Sequence, residues 1–247
     1  MRLAAILMSG LAVAACSMGA NAQEDEGSAG KGGTPVQKSF ALSGFDAVGS
    51  AGSQDVIVTV GGQHSVRAEG DSEVIERLDI KVEDGTLKIG HKKGSNWPIG
   101  WGKDRPKTRI FVTLPAIRSA AVAGSGDMKI DKVQGDAFAA SVAGSGDIEI
   151  AQMQVGEAKF SVAGSGDIKA AGTAQRSSAS VAGSGDIDAG GVQVRTASVS
   201  IAGSGDIRIH ASETADISIV GSGDVEVGGS ARCNVNKRGS GEVRCTA

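Results

Sequence analysis

The chain has 247 residues and a formal net charge of −3, which supplies no bulk attraction toward nucleic acid. It contains 38 glycines, five phenylalanines and no tyrosine. A thick aromatic core is therefore excluded, and without a glycine period of three so is collagen; the remaining options are disorder or a turn in every repeat.

Arg2 precedes an apolar stretch, residues 3–15, of signal-peptide length and too short to span a bilayer. Two processing readings fit. Ala20-Asn21-Ala22 is an Ala-x-Ala site that makes residues 1–22 the signal peptide. Val13-Ala14-Ala15-Cys16 resembles a lipobox, which would remove residues 1–15 and acylate Cys16. Residues 23–38 are rich in Gly, Ser and charge without an apolar period, and read as a flexible linker.

Residues 39–120 read as a less regular, β-rich N-terminal portion that caps the C-terminal half. Strands are expected at residues 45–48, 55–60, 65–68, 78–82, 86–89 and 109–114. Asp84-Gly85 signals a tight turn, and residues 72–78 a short helix with Asp71 as N-cap. Residues 91–107 hold both tryptophans and five Lys/Arg against one Asp. Aromatics with cations in a Gly/Pro loop suit stacking on sugars or contact with anionic glycans. Trp97, Trp101, Lys92, Lys93, Lys103 and Arg105 are the candidate glycan or partner loop; alternatively, the tryptophans fold back as a cap.

Residues 121–247 are repetitive. Gly-Ser-Gly-Asp begins at Gly124, Gly144, Gly164, Gly183, Gly203 and Gly221, and a copy at Gly239 ends in Glu242. A degenerate copy, Ala51-Gly52-Ser53-Gln54-Asp55, reads as a first rung separated by an insertion. Apolar residues alternate on both sides of each phrase, giving short strands around a Gly-rich corner. Such a unit buries its apolar side only by stacking. The expectation is an all-β fold: a parallel β-helix, or β-solenoid, with rungs of about 18–20 residues.

Stacking the repeats produces three columns. The outward residue between the two inward ones reads Lys129, Glu149, Lys169, Asp188, Arg208, Glu226, Arg244, alternating in sign at every step. In a parallel stack at about 4.8 Å spacing this selects the register. The acids Asp127, Asp147, Asp167, Asp186, Asp206 and Asp224 carry like charge, repelling by about 0.9 kcal/mol per neighbour in water. Either each carboxylate accepts N–H groups of its glycine turn, or the column binds divalent cations. The phrase partly resembles the calcium-binding β-roll repeat Gly-Gly-x-Gly-x-Asp, so Ca2+ is the one cofactor weighed. The third column, Ser141, Ser161, Ser180, Ser200 and Ser218, lies beside an alanine column and makes a flat face of small side chains. Cys233 and Cys245, in an oxidising compartment, form a disulfide or remain two buried thiols.

Ser43-Gly44-Phe45-Asp46-Ala47-Val48, then Val66-Arg67-Ala68-Glu69-Gly70, then serial Ala-Gly-Ser-Gly-Asp repeats resemble the head-GIN-domain family of putative autotransporter adhesins. The likeness covers about residues 39–245. It implies a β-helix-like fold in the bacterial envelope and supplies no catalytic residues. Only Thr246 and Ala247 come after the last repeat, so no translocating barrel is expected there. The expected function is non-enzymatic: an exported module in the periplasm, at the outer membrane or on the cell surface of a Gram-negative bacterium. It would bind an envelope glycan or protein, and meet the membrane only through a lipid on Cys16. The alternatives are a cation-stabilised module and a polysaccharide-acting β-helix enzyme. Against the enzyme, His64, His91 and His210 are scattered and no nucleophile motif appears.

Overall fold

The structure is a computed structural model that describes residues 34–92, 94 and 108–246. Both processing sites, Cys16 and the loop residues Lys93, Trp97, Trp101, Lys103 and Arg105 lie outside the described residues.

The N-terminal portion comprises β1 (Pro35–Phe40), β2 (Ala47–Gly52), β3 (Asp55–Val60), β4 (Ser65–Asp71), α1 (Ser72–Arg77), β5 (Leu78–Glu83), β6 (Thr86–His91) and β7 (Arg109–Leu114). The repeats form β8 (Ser119–Gly124), β9 (Met128–Ile130), β10 (Val133–Gly144), β11 (Ile148–Gly164), β12 (Ile168–Gly183), β13 (Ile187–Gly203), β14 (Ile207–Gly221), β15 (Val225–Gly228), β16 (Arg232–Gly239) and β17 (Val243–Cys245). Successive repeats pair in parallel, Gly144 opposite Gly164 and Gly164 opposite Gly183. The result is a parallel β-solenoid of about six turns.

Each rung has more sides than two strands and one corner. Along β11 the buried residues are Ile148 and Ile150, then Met153 and Val155, then Ala158, Phe160 and Val162. The alternation slips by one residue twice, and each slip marks a bend. The varying rung lengths are absorbed at these plain bends. The pairing shifts between Ile150 and Met153, and again between Ala189 and Gln193, while the glycine corners stay aligned.

Sterics explain the glycines of the corner. A Cβ on Gly166 would fall inside van der Waals contact of the Gly146 carbonyl oxygen, and one on Gly164 inside that of Gly144. Gly164 also has φ +134°, where side chains are strained. The core is thin because large residues meet small ones along the stack. Phe160 lies opposite Ala140 on one side and Ala179 on the other. Each buried Val, Ile or Phe contributes about 1.5–3 kcal/mol relative to exposure.

The degenerate copy is the rung beneath the regular repeats: Gly52 pairs with Gly124 and Val56 with Met128. A further rung lies under it. β6 pairs in parallel with β2 and β7 with β3. Beyond that rung the direction reverses. β5 is antiparallel to β6, β4 to β7 and β1 to β4, with α1 joining β4 to β5. Asp71 caps α1, its carboxylate accepting from Glu73 N–H at 2.9 Å. Asp84 (φ 51°) and Gly85 (φ 70°) form the tight turn. β1 starts inside the segment read as linker: residues 35–38 pair with Asp71, Gly70, Glu69 and Ala68. Backbone pairing orders them although no apolar period announces it.

Candidate functional site

The outer surface of the coil carries the candidate features, and its geometry is set by the register. Lys129, Glu149, Lys169, Asp188, Arg208, Glu226 and Arg244 are successive partners in the pairing. Lys129 Nζ donates to Glu149 Oε2 at 2.8 Å and Arg208 Nε to Glu226 Oε2 at 3.2 Å. Arg244 turns instead to Glu242 at 2.9 Å. The hydrogen bond to Glu149 holds the Lys129 ammonium above the usual lysine range, and its return holds the Glu149 carboxyl below the usual carboxylate range. These side chains are largely solvent-exposed and screened, so the pairs act on register rather than total stability.

The acid column hydrogen-bonds between rungs, not within its own turn. Asp147 Oδ1 accepts the backbone N–H of Asp167 at 2.9 Å, Asp167 that of Asp186 at 2.8 Å, and Asp186 that of Asp206 at 2.7 Å. Asp206 and Asp224 continue the chain to Glu242. Below them, Asp127 accepts from Asp147 N–H at 3.2 Å, and Asp55 starts the chain by accepting from Asp127 N–H at 3.5 Å. One oxygen of each aspartate is thus used to bind the next rung. Among the described residues, no group of three or more His, Cys, Asp or Glu is placed to hold a metal ion.

The serine column is straight: Ser141, Ser161, Ser180, Ser200 and Ser218 are successive register partners on the sheet before the glycine corner. Ser180 Oγ donates to Ser161 Oγ at 3.3 Å. Toward the C-terminal end a shallow groove of about 380 Å³ opens over Ser198, Ser200, Ser218, Asp216, Asn234 and Asn236.

A second groove, about 540 Å³, runs over the corners at Gly52, Gly124 and Gly144 beside His91. Gln54 fills the corner where later rungs have glycine; it is 2 % exposed, and its Nε2 lies 3.2 Å from His91 Nε2. Lys92, the described member of the candidate loop, turns its ammonium to the Glu76 carbonyl oxygen at 2.7 Å, back onto α1. The histidines are not brought together. His64 Nε2 bonds the Phe45 carbonyl, its ring edge-on to Phe45, while His210 pairs with Gly228 near the other end.

The last rung closes the coil. Cys233 and Cys245 form a disulfide across it. They occupy inward columns, opposite Ala215 and Val227. Lys237 stands in the column of Ile219, where no further rung covers it, and its ammonium meets the Gly241 carbonyl at 2.6 Å. The terminal strand thus carries a charge in a core column, and its outer edge is unpaired among the described residues.

A family model described as "putative auto-transporter adhesin, head GIN domain" matches residues 44–231. The chain belongs to this head GIN domain family. Its fold recurs in a putative adhesin from Bacteroides fragilis NCTC 9343, with TM-score 0.77 and 22 % identity, over 86 % of this chain and 97 % of that one. A putative lipid binding protein from Parabacteroides distasonis ATCC 8503 has TM-score 0.70 and 27 % identity, over 87 % and 98 %. A putative adhesin from Parabacteroides merdae ATCC 43184 has TM-score 0.63 and 21 % identity, over 87 % and 97 %. No curated protein matches. Among the described residues of this head GIN chain, no helix is long and apolar enough to cross a membrane.

Proposed function

We propose that the chain is a non-enzymatic adhesive module of the bacterial envelope, which presents its ordered outer columns to an external glycan or protein. The observation that carries this is the straight serine column on an open sheet face. Ser141, Ser161, Ser180, Ser200 and Ser218 place one small hydroxyl per rung, about 4.8 Å apart. Identical groups at one spacing suit a partner that is itself extended and repetitive. Membership of an adhesin family supports the same reading. The segment with Trp97, Trp101, Lys92, Lys93, Lys103 and Arg105 is a second contact. The aspartate column is assigned to folding, and no cofactor to the activity. The exported chain is placed in the periplasm, at the outer membrane through an acylated Cys16, or at the surface after cleavage at Ala22.

Binding of the mature protein to immobilised envelope polysaccharides and intact cells tests this. Ser161→Lys with Ser200→Lys should weaken capture at least about tenfold, since two lysines on a flat face obstruct close approach. Unchanged capture would remove the serine face from the function. Reproducible turnover of any polysaccharide in the same panel would replace the adhesive reading with an enzymatic one. A relative of the same fold is named a putative lipid binding protein, and its share of identity favours lipid as the second ligand class. Phospholipid vesicles in the panel, with protein lacking any acyl chain, separate that reading.

A further inference from the structure

The two ends of the solenoid differ from its flanks and from each other. Hydrogen bonding runs in two continuous ladders. One passes from β1 through β4, β7, β3 and β9 up to β15 and β17. The other passes from β5 through β6, β2, β8 and β10 up to β14 and β16. Each ladder stops on a strand with one paired side among the described residues. Such edges are templates for another chain.

Two of the three exposed large aliphatics among the described residues lie on end strands. Among the described residues the exposed large aliphatics are Val36 on β1, Val235 on β16, and Val220 opposite Arg238 in the next-to-last rung. The rest of the coil buries its aliphatics almost completely.

Charge then distinguishes the ends. The last rung holds Arg232, Lys237, Arg238 and Arg244 against Glu242. At the other end, β1, β4, α1, β5 and the adjoining turn hold seven acids against Lys38, Arg67, Arg77 and Lys81. On β5, Lys81 is already engaged by Asp79 at 3.4 Å and Glu83 at 2.9 Å.

We propose that the C-terminal end of one copy docks on the N-terminal end of a second copy, head to tail, with β16 and β17 set against the β5 and β1 edges. Like ends repel, so charge fixes the polarity. Lys237 and the three arginines refuse a second basic rung and accept an acidic one. The contact joins two different surfaces, so it does not close on itself and propagates as an open series. This inference stands apart from the ligand of the serine face.

Sedimentation of the mature protein at low salt tests it. A concentration-dependent series that continues past dimer is expected. The association should weaken at least about tenfold near 0.5 M NaCl, where the screening length falls to about 4 Å. Arg232→Glu with Arg238→Glu makes both ends acidic, and Asp79→Lys with Glu83→Lys makes both ends basic. Each double variant alone should be monomeric, and an equimolar mixture should regain the series. A variant-free check uses carbodiimide cross-linking of mixed 14N and 15N protein. Links joining Lys237 of one isotope to Asp79 or Glu83 of the other are expected. A single monomer species throughout, a closed dimer that survives charge reversal, or cross-links confined to like ends would each overturn the proposal.

Discussion

The backbone N–H of Asp167 donates to the carboxylate of Asp147, 2.9 Å away and one turn of the coil earlier. The repeated acid is therefore a clasp between rungs. Asp147→Ala removes the acceptor and should cost about 1–2 kcal/mol in chemical denaturation, the worth of a charge-assisted bond at a partly hydrated site. Asp147→Asn keeps an acceptor oxygen and removes one like charge, so it should stay within about 0.5 kcal/mol of wild type. The melting curve should coincide in excess calcium and in chelator; a shift of several degrees would return the column to cation binding.

Gly166 and Gly190 should respond very differently to an added methyl. Gly166→Ala drives a methyl into the Gly146 carbonyl and should cost at least about 3 kcal/mol, because neither backbone can withdraw without breaking the stack. Gly190→Ala meets only the Asp188 carboxylate at 3.5 Å and the Arg208 Cβ at 3.7 Å, ordinary contacts. It should change stability by less than about 1 kcal/mol in the same urea titration.

Loss of the Cys233–Cys245 bond should be felt locally. A loop of this size is worth about 3 kcal/mol by chain entropy. In a stack whose turns touch only their neighbours, that loss falls on the last turn. In Cys233→Ser with Cys245→Ser, hydrogen exchange should accelerate in β15, β16 and β17 while β11 and β12 keep wild-type protection. Uniform acceleration along the coil would show that the turns unfold as one unit.

Ser177 is a stability defect. Its side chain points inward between Ala158 and Ala197, and its buried Oγ has no hydrogen-bond partner. Ser177→Ala removes an unsatisfied hydroxyl and matches the column. A gain of about 1 kcal/mol is expected in denaturant.

His91 makes stability depend on pH. Burial pushes its pKa below the ordinary 6.5. The imidazole Nε2 also faces the Gln54 amide nitrogen at 3.2 Å, so it must accept, and protonation would set donor against donor. Below pH 6.5 the unfolded chain binds the proton before the folded one does. Stability is therefore full above that pH and falls as pH drops through the window down to the depressed folded value. His91→Gln should flatten the slope there, followed as Tm against pH. An NMR titration midpoint for His91 at or above 6.5 would contradict the assignment.

The coil was legible because its constraints fall in columns. The alternation from Lys129 to Arg244 carried the register in the residues themselves, and the Gly52 copy could be placed under Gly124 across a long insertion. The plain bends at residues 151–152 and 156–157 were not legible. They need no residue without a Cβ at fixed spacing and leave only a one-residue slip in the apolar pattern. The rung made by β6 and β7 was hidden for a related reason: no Gly-Ser-Gly-Asp phrase stands between the two strands. β1 lacked a signal because both alternate sides of Pro35–Phe40 are exposed. The inter-rung aspartate bonds were half legible. The sequence marked the carboxylate as an acceptor of backbone N–H but placed the donor in its own turn. Lys237 was visible only as a break in a column, and the terminal position of its strand supplies the reason.

The sign reversal along the outward ladder doubles the true period of the coil. Neighbouring turns are chemical opposites, and likeness returns at every second one, about 10 Å along the axis. Copying a single turn within the gene would set two lysines or two glutamates side by side, whereas copying two preserves the order. The heritable unit by which such a coil grows or shrinks is therefore a pair of turns, and the length of the molecule is quantised in that step.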